Sequence, residues 1–187
     1  MKKIRPLYLA LLVAKASPGG TIDGRTRIHK LIYLEQLMAK RSDVSFRPYY
    51  YGPFSDELAS GLSEAVALGL LREHIYSPGD SDDIINYIYD LTESGKTFYE
   101  EIVSKADEIK DVEKPLLRIQ NLTHGLTVTQ VSCMAKALFI LKSKDNKREW
   151  TVSDIVGEAK RFKWEIKDNM LPSLMRKLVE LNLAEAK

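Results

Sequence analysis

The chain has 187 residues, 29% of them charged, but 28 Lys and Arg against 26 Asp and Glu leave a net charge of only +2. That balance excludes the strongly basic whole-chain footprint of an obvious nucleic-acid binder. Cys133, the single cysteine, excludes an intrachain disulfide or thiolate metal cluster, and the length suits one medium domain or two small ones.

The N-terminal "MKKIRPLYLALLVAKAS" has the basic start and apolar run of a signal peptide. Arg5, Pro6 and Lys15 interrupt that pattern, and no small-residue cleavage site follows, so Leu7 to Lys15 reads as the first helix. No run reaches the roughly 18 apolar residues of a membrane span. A cytoplasmic protein without membrane contact is expected. "SPGGTIDG" breaks the first helix, and Asp23 offers a cap for a second. Ile28, Leu31, Ile32 and Met38 recur at helical spacing there, with Glu35 near the edge of the buried side.

Pro48 and Pro53 bracket Tyr49, Tyr50 and Tyr51, and this composition predicts a short extended segment. Alternation along a strand sends Tyr49 and Tyr51 to one face, against the core, and leaves Tyr50 half exposed as a residual candidate for contact with a base. Ser55 caps a third helix, and Asp56 and Glu57 place negative charge at its positive end. Leu58, Leu62, Ala65 and Val66 form its inner face, and Gly69 ends it. Two β-rich runs, Leu70 to Tyr76 and Ile84 to Tyr89, flank "SPGDSDD" and predict a hairpin. A helix from Thr92 to about Ile109 follows, with Phe98, Ile102, Ala106 and Ile109 in one stripe suited either to pairing two copies of the chain as a homodimer or, equally, to burial against the C-terminal unit.

This order is that of a winged helix, with the hairpin as its wing. The fold class expected is therefore mainly α with a small β-hairpin wing: a winged helix over 1–105, a helical linker over 106–125, and a second helix-turn-helix-like unit over 126–187. In the second unit Thr151 and Asp154 have capping-box spacing, and a last helix runs from Glu165 almost to the end. "VALGLL" at 66–71 resembles "VELNLA" at 179–184, with Gly69 and Asn182 at the same place. The sequence stops at Lys187, where a second wing would begin, so that wing is at most vestigial.

The stretches "GRTRIHKLIYLEQ", "YYYGPFSDELASGL", "ALGLLRE" and "YDLTESGKTF" resemble the YwgA-like proteins and, more distantly, the Panacea domain of SocA-type antitoxins. Lys30, Leu31, Ile32 and Tyr33 match one family element. Tyr51, Gly52, Pro53, Phe54 and Ser55 match a second, and Leu91, Thr92 and Gly95 a third. The resemblance covers about residues 20–100. It implies a helix-turn-helix-derived fold in transcription-related or antitoxin-related binding proteins; it does not imply a catalytic activity.

The third helix presents Glu57, Ser60, Ser63 and Glu64 outward, and no Lys or Arg occurs from Pro48 to Leu71. Major-groove readers need cations and amide side chains, so this face suits a protein partner better than DNA. Arg25, Arg27 and Lys30 cluster near the start of the second helix. Up to Lys105, 13 bases face 14 acids; beyond it 15 face 12, which favours the second unit as the DNA-facing one. Its candidate contacts are Lys160, Arg161, Lys163, Asn169, Ser173, Arg176 and Lys177. His29, His74 and His124 lie far apart and outside metal spacings; "SPGG" lacks the ending of a phosphate loop, and "SPGDSDD" lacks EF-hand periodicity. No catalytic residue, metal or cofactor is expected. The reading is a DNA-binding transcriptional regulator, with a protein-interaction module, an antitoxin or adaptor that no longer reads DNA, as the alternative.

Overall fold

The computed structural model describes residues 3–76, 86–143 and 150–185. Its first half runs α1 Pro6–Ala16, β1 Thr21–Asp23, α2 Arg25–Met38, β2 Arg47–Tyr49, β3 Gly52–Phe54, α3 Asp56–Ala67, β4 Leu71–Tyr76 and β5 Asn86–Leu91. Five further helices follow: α4 Glu93–Lys105, α5 Asp107–Thr123, α6 Val128–Ser143, α7 Val152–Arg161 and α8 Leu171–Glu180. The protein is mainly α-helical with a small antiparallel sheet, as its sequence predicts. Among the described residues no helix is long and apolar enough to cross a membrane.

Side-chain caps fix several of the helix starts. Ser55 Oγ accepts from the Leu58 N–H, Thr92 Oγ1 from that of Gly95, and Thr151 and Asp154 form the anticipated capping box. The two matched "VALGLL" and "VELNLA" segments end their helices in the same way. Gly69 and Asn182 take φ of +68° and +58°. The Leu70 N–H then donates to Ala65 O, and the Leu183 N–H to Leu178 O, which is the six-to-one bond of a Schellman motif in both.

Three local expectations need correction, and the hairpin forms as expected. Asp23 is not a cap: it lies in β1, which pairs with β5 in a sheet of order β1-β5-β4, and uncapped Gly24 precedes α2. The helix expected from Thr92 to Ile109 is broken at Ala106, whose φ of −142° separates α4 from α5. The helix expected from Glu165 starts only at Leu171, because buried Trp164 and Ile166 anchor an irregular turn before it. The wing strands pair as Leu71 to Tyr76 with Leu91 to Asn86, whereas Ile84 and the acids of "SPGDSDD" lie outside the described residues.

The core is organised around α2. Every residue from Ile28 to Gln36 on this helix is buried, not just one face, because α1, α5, α6 and β3 surround it. A single apolar cluster extends from Ile4 through Leu116 and Met134 to Leu183, so residues from both ends of the chain share it. Ile102 and Ile109, from the stripe expected to pair two chains, are buried within it, and Phe98 packs against Tyr8 at 6.0 Å. Glu35 is fully buried and neither carboxylate oxygen has a hydrogen-bond partner; burial, with Asp43 adding to it, pushes its carboxyl up to about 8.

α1 and α3 press closest at Gly61, where a Cβ would lie 2.5 Å from Leu7 N and from Pro6 C. Gly157, on α7, has nothing within 4 Å of its Cβ position. Gly61→Ala should therefore lower stability by about 1–3 kcal/mol, since backbone must move. Gly157→Ala should raise it by roughly 0.5–1 kcal/mol through helix propensity. Urea denaturation of the two variants checks the opposite signs.

Candidate functional site

The hairpin β2–β3 is only three residues per strand, and Tyr50 and Tyr51 form its turn. Gly52 closes the turn at φ +104°, a conformation that side chains resist. Its missing side chain also admits two lysines: a Cβ there would meet Lys136 Cγ at 3.0 Å and Lys30 Cε at 3.4 Å.

Pro53, Phe54 and Ser55 of the "YGPFS" element hold the hairpin to its base. Lys30 Nζ, from α2, donates to Pro53 O at 2.7 Å. Phe54 stacks on His29, with ring centroids 4.3 Å apart. The Ser55 N–H donates to His29 Nδ1 at 3.2 Å, while Ser55 Oγ caps α3. From the C-terminal half, Trp164 Nε1 donates to Tyr49 O at 2.6 Å, and Lys136 Nζ, beneath Gly52, donates to Glu165 O at 3.2 Å.

These supports are desolvated. Burial, with the like charge of Lys136 second, pulls the Lys30 ammonium down to about 7. Burial likewise lowers Lys136, and it lowers His29 to about 3, so the imidazole is neutral when it accepts from Ser55.

The expectation for the tyrosines is overturned. Tyr49, Tyr50 and Tyr51 are 43%, 77% and 67% exposed, and none is core. Alternation fails because the triplet straddles a tight turn instead of running along a strand. Tyr49 and Tyr50 meet edge to face at 4.8 Å, and the Arg47 guanidinium lies 4.9 Å from the Tyr49 ring. Neither Tyr50 nor Tyr51 has a hydrogen-bond partner for its hydroxyl among the described residues.

The basic residues divide by location. On α2, Arg25 pairs with Glu73 at 2.8 Å and Arg27 donates to the Leu126 and Thr123 carbonyls, which with buried Lys30 leaves no free cationic cluster. In the C-terminal half, Lys160, Lys163, Lys167, Asn169, Ser173 and Arg176 are exposed. Lys160, Lys163, Lys167 and Arg176 have no acidic partner among the described residues. Arg161 pairs with Glu158 at 3.2 Å. Lys177 stands apart: it is half-buried and its Nζ donates to Leu122 O at 2.8 Å, tying α8 to the end of α5. Lys160 and Lys163 line a shallow cleft of about 370 Å³ with Val156, Trp164, Glu165 and Ile166.

Glu57, Ser60, Ser63 and Glu64 are exposed on α3 as anticipated. Two of them are engaged: Glu57 accepts from the Ser45 N–H at 2.5 Å, and Glu64 pairs with Arg5 at 2.9 Å. Between α3, α2 and the wing lies a cavity of about 320 Å³, walled by Leu62 and Val66 and closed by Arg25, Glu73 and Tyr89. Arg25 Nε donates to Tyr89 Oη at 2.6 Å and the Tyr89 hydroxyl donates to Glu73, so these polar groups satisfy one another.

No protein-family model matches the chain. The chain is similar to the uncharacterized protein YwgA of Bacillus subtilis (strain 168), with 34% identity over 89 residues. The match takes in 48% of this chain and 52% of YwgA, so the chain spans about half the length of the curated relative it matches.

The Lys30 mount carries a pH signature. Its folded value near 7 lies below the ordinary 10.5, so between these values the unfolded chain keeps a proton that the folded chain has released. The Lys30 contribution to stability therefore rises with pH across that window and is flat below it, by up to about 1.4 kcal/mol per pH unit. Lys30→Met should abolish this slope. Urea midpoints from pH 6 to 10 should diverge between wild type and variant; parallel curves would show Lys30 fully solvated.

Proposed function

We propose that this chain binds DNA through the exposed cations of α7, α8 and the turn between them. The observation that carries this reading is the partition of charge. Every arginine and lysine on α2 is engaged inside the chain, whereas Lys160, Lys163, Lys167 and Arg176 stand in solvent without an acidic partner among the described residues. Exposed cations free of carboxylates are what phosphate contact requires. Asn169, Ser173 and Arg176 follow at spacings of four and three along an exposed stripe of α8 and the turn before it, and they are side chains of the kind that read base edges. Lys177 leaves the contact set because Leu122 O already takes it, and Arg161 contributes less because of Glu158.

The element order of a winged helix, and the resemblance of "YGPFS" and its neighbours to YwgA-like and Panacea proteins, support a regulatory role for this binding. The alternative, a protein-interaction module, keeps less support, since Glu57 and Glu64 are already engaged within the chain.

Lys163→Gln combined with Arg176→Gln should weaken binding to any duplex and flatten the plot of log affinity against log salt by up to about 2. Fluorescence anisotropy on a labelled duplex of about 20 base pairs between roughly 50 and 200 mM salt measures both quantities. A wild-type chain that shows no salt-dependent binding near 50 mM defeats the reading and leaves the interaction module.

A further inference from the structure

We infer that the hairpin tip, Tyr49 to Tyr51, is a stacking platform for unpaired nucleobases, so that the chain engages single-stranded or locally melted DNA in addition to duplex backbone. This rests on the DNA-binding reading above.

Exposure is the first support. Among the described residues only six large apolar side chains are exposed, and three of them are these consecutive tyrosines. A solvent-facing cluster of aromatic rings is unfavourable in a monomeric protein unless something covers it. Among the described residues nothing does: Tyr50 and Tyr51 have no ring neighbour there except the edge contact of Tyr50 with Tyr49.

The mount is the second. Turns of this size are usually polar and loosely attached, whereas this one is bolted from both halves of the chain. Lys30 and Lys136 are 2% and 8% exposed beneath it, and burying two ammonium groups side by side destabilises the fold. Such a base holds the backbone of the turn in a fixed position, which keeps the backbone entropy lost on binding small.

Charge selects the occupant. The Trp164 indole that bonds Tyr49 O also lines the cleft of Lys160 and Lys163. Glu165 is the one carboxylate in that cleft, against two cations. Arg47, whose guanidinium lies 4.9 Å from the Tyr49 ring, is bonded to Asp56 at 2.7 and 2.9 Å, so its charge is already opposed. Aromatic faces flanked by unpaired cations match a strand whose bases are splayed and whose phosphates run alongside. Stacking of this kind needs no particular base, because every base offers a π-face. A duplex keeps its bases inside and would meet the tip only with sugar and phosphate.

The test uses the full chain, a labelled 20-mer of oligo(dT) and a labelled duplex of equal length. Tyr50→Ala combined with Tyr51→Ala should lower oligo(dT) affinity about tenfold or more, while duplex affinity and both salt slopes stay as in wild type. Tyr50→Phe combined with Tyr51→Phe should restore oligo(dT) binding, since the ring and not the hydroxyl stacks. Unchanged oligo(dT) affinity in the alanine variant, with duplex binding intact, overturns the stacking platform alone and points the tip toward a protein. An equal loss on both nucleic acids makes the tip a backbone contact and also overturns base stacking. Absence of binding to either one by wild type near 50 mM salt removes the DNA reading itself, and this inference with it.

Discussion

Lys30 has been withdrawn from water along its full length so that one ammonium hydrogen can meet the Pro53 carbonyl. Several other features depend on that bond. It requires a helix, α2, buried all round, because a lysine on a half-exposed helix would turn its amine to solvent. It requires glycine at 52, because any side chain there would occupy the space of the two lysine stems. It also requires α6 close by, since Lys136 fills the other side of the same space. The packing of residues 126–143 against α2 and β3 thus follows from the same constraint that places the hairpin.

Charge in this molecule is sorted by use. Arg27 and Lys177 both close carbonyls at the C-terminal end of α5, Arg25 ties α2 to the wing, and Arg5 and Arg47 brace α3 at its two ends. Of the cations left over, Lys160, Lys163, Lys167 and Arg176 lie on α7, α8 and the turn between them, while Lys40 and Lys114 stand elsewhere on the surface. A formal charge near zero therefore conceals a surface whose positive groups are locally unopposed, which is why the whole-chain balance says little about what the surface attracts.

Much of the fold was legible because it is written in local chemistry. Ser55, Thr92 and the Thr151–Asp154 box announce helix starts, and Gly69 and Asn182 announce the two matching stops. β1 was missed because three residues, Thr21 to Asp23, carry no periodicity of their own and become a strand only through pairing with β5. The tyrosines were misread because alternation presumes a strand long enough to have two faces. The mounting lysines were illegible for a different reason. Sequence reading treats Lys as surface, and Lys30 was grouped with Arg25 and Arg27 as part of a basic cluster. Only the approach of Gly52 and Pro53 from distant positions shows it to be internal. Glu35, assigned to the edge of α2, lies at its centre for the same reason: α5 and α6, which enclose that helix, are 70 or more residues away in sequence.

One hydrogen bond has an optical consequence. The chain holds two tryptophans, and Trp164 is the one whose indole N–H binds the Tyr49 carbonyl while its ring stacks on Phe162 at 4.7 Å. Indole emission responds to the polarity and hydrogen bonding of the N–H. The protein thus carries a built-in fluorophore wired to the base of its own aromatic tip, and anything that lifts or loads that hairpin changes the colour of a residue buried in the other half of the chain.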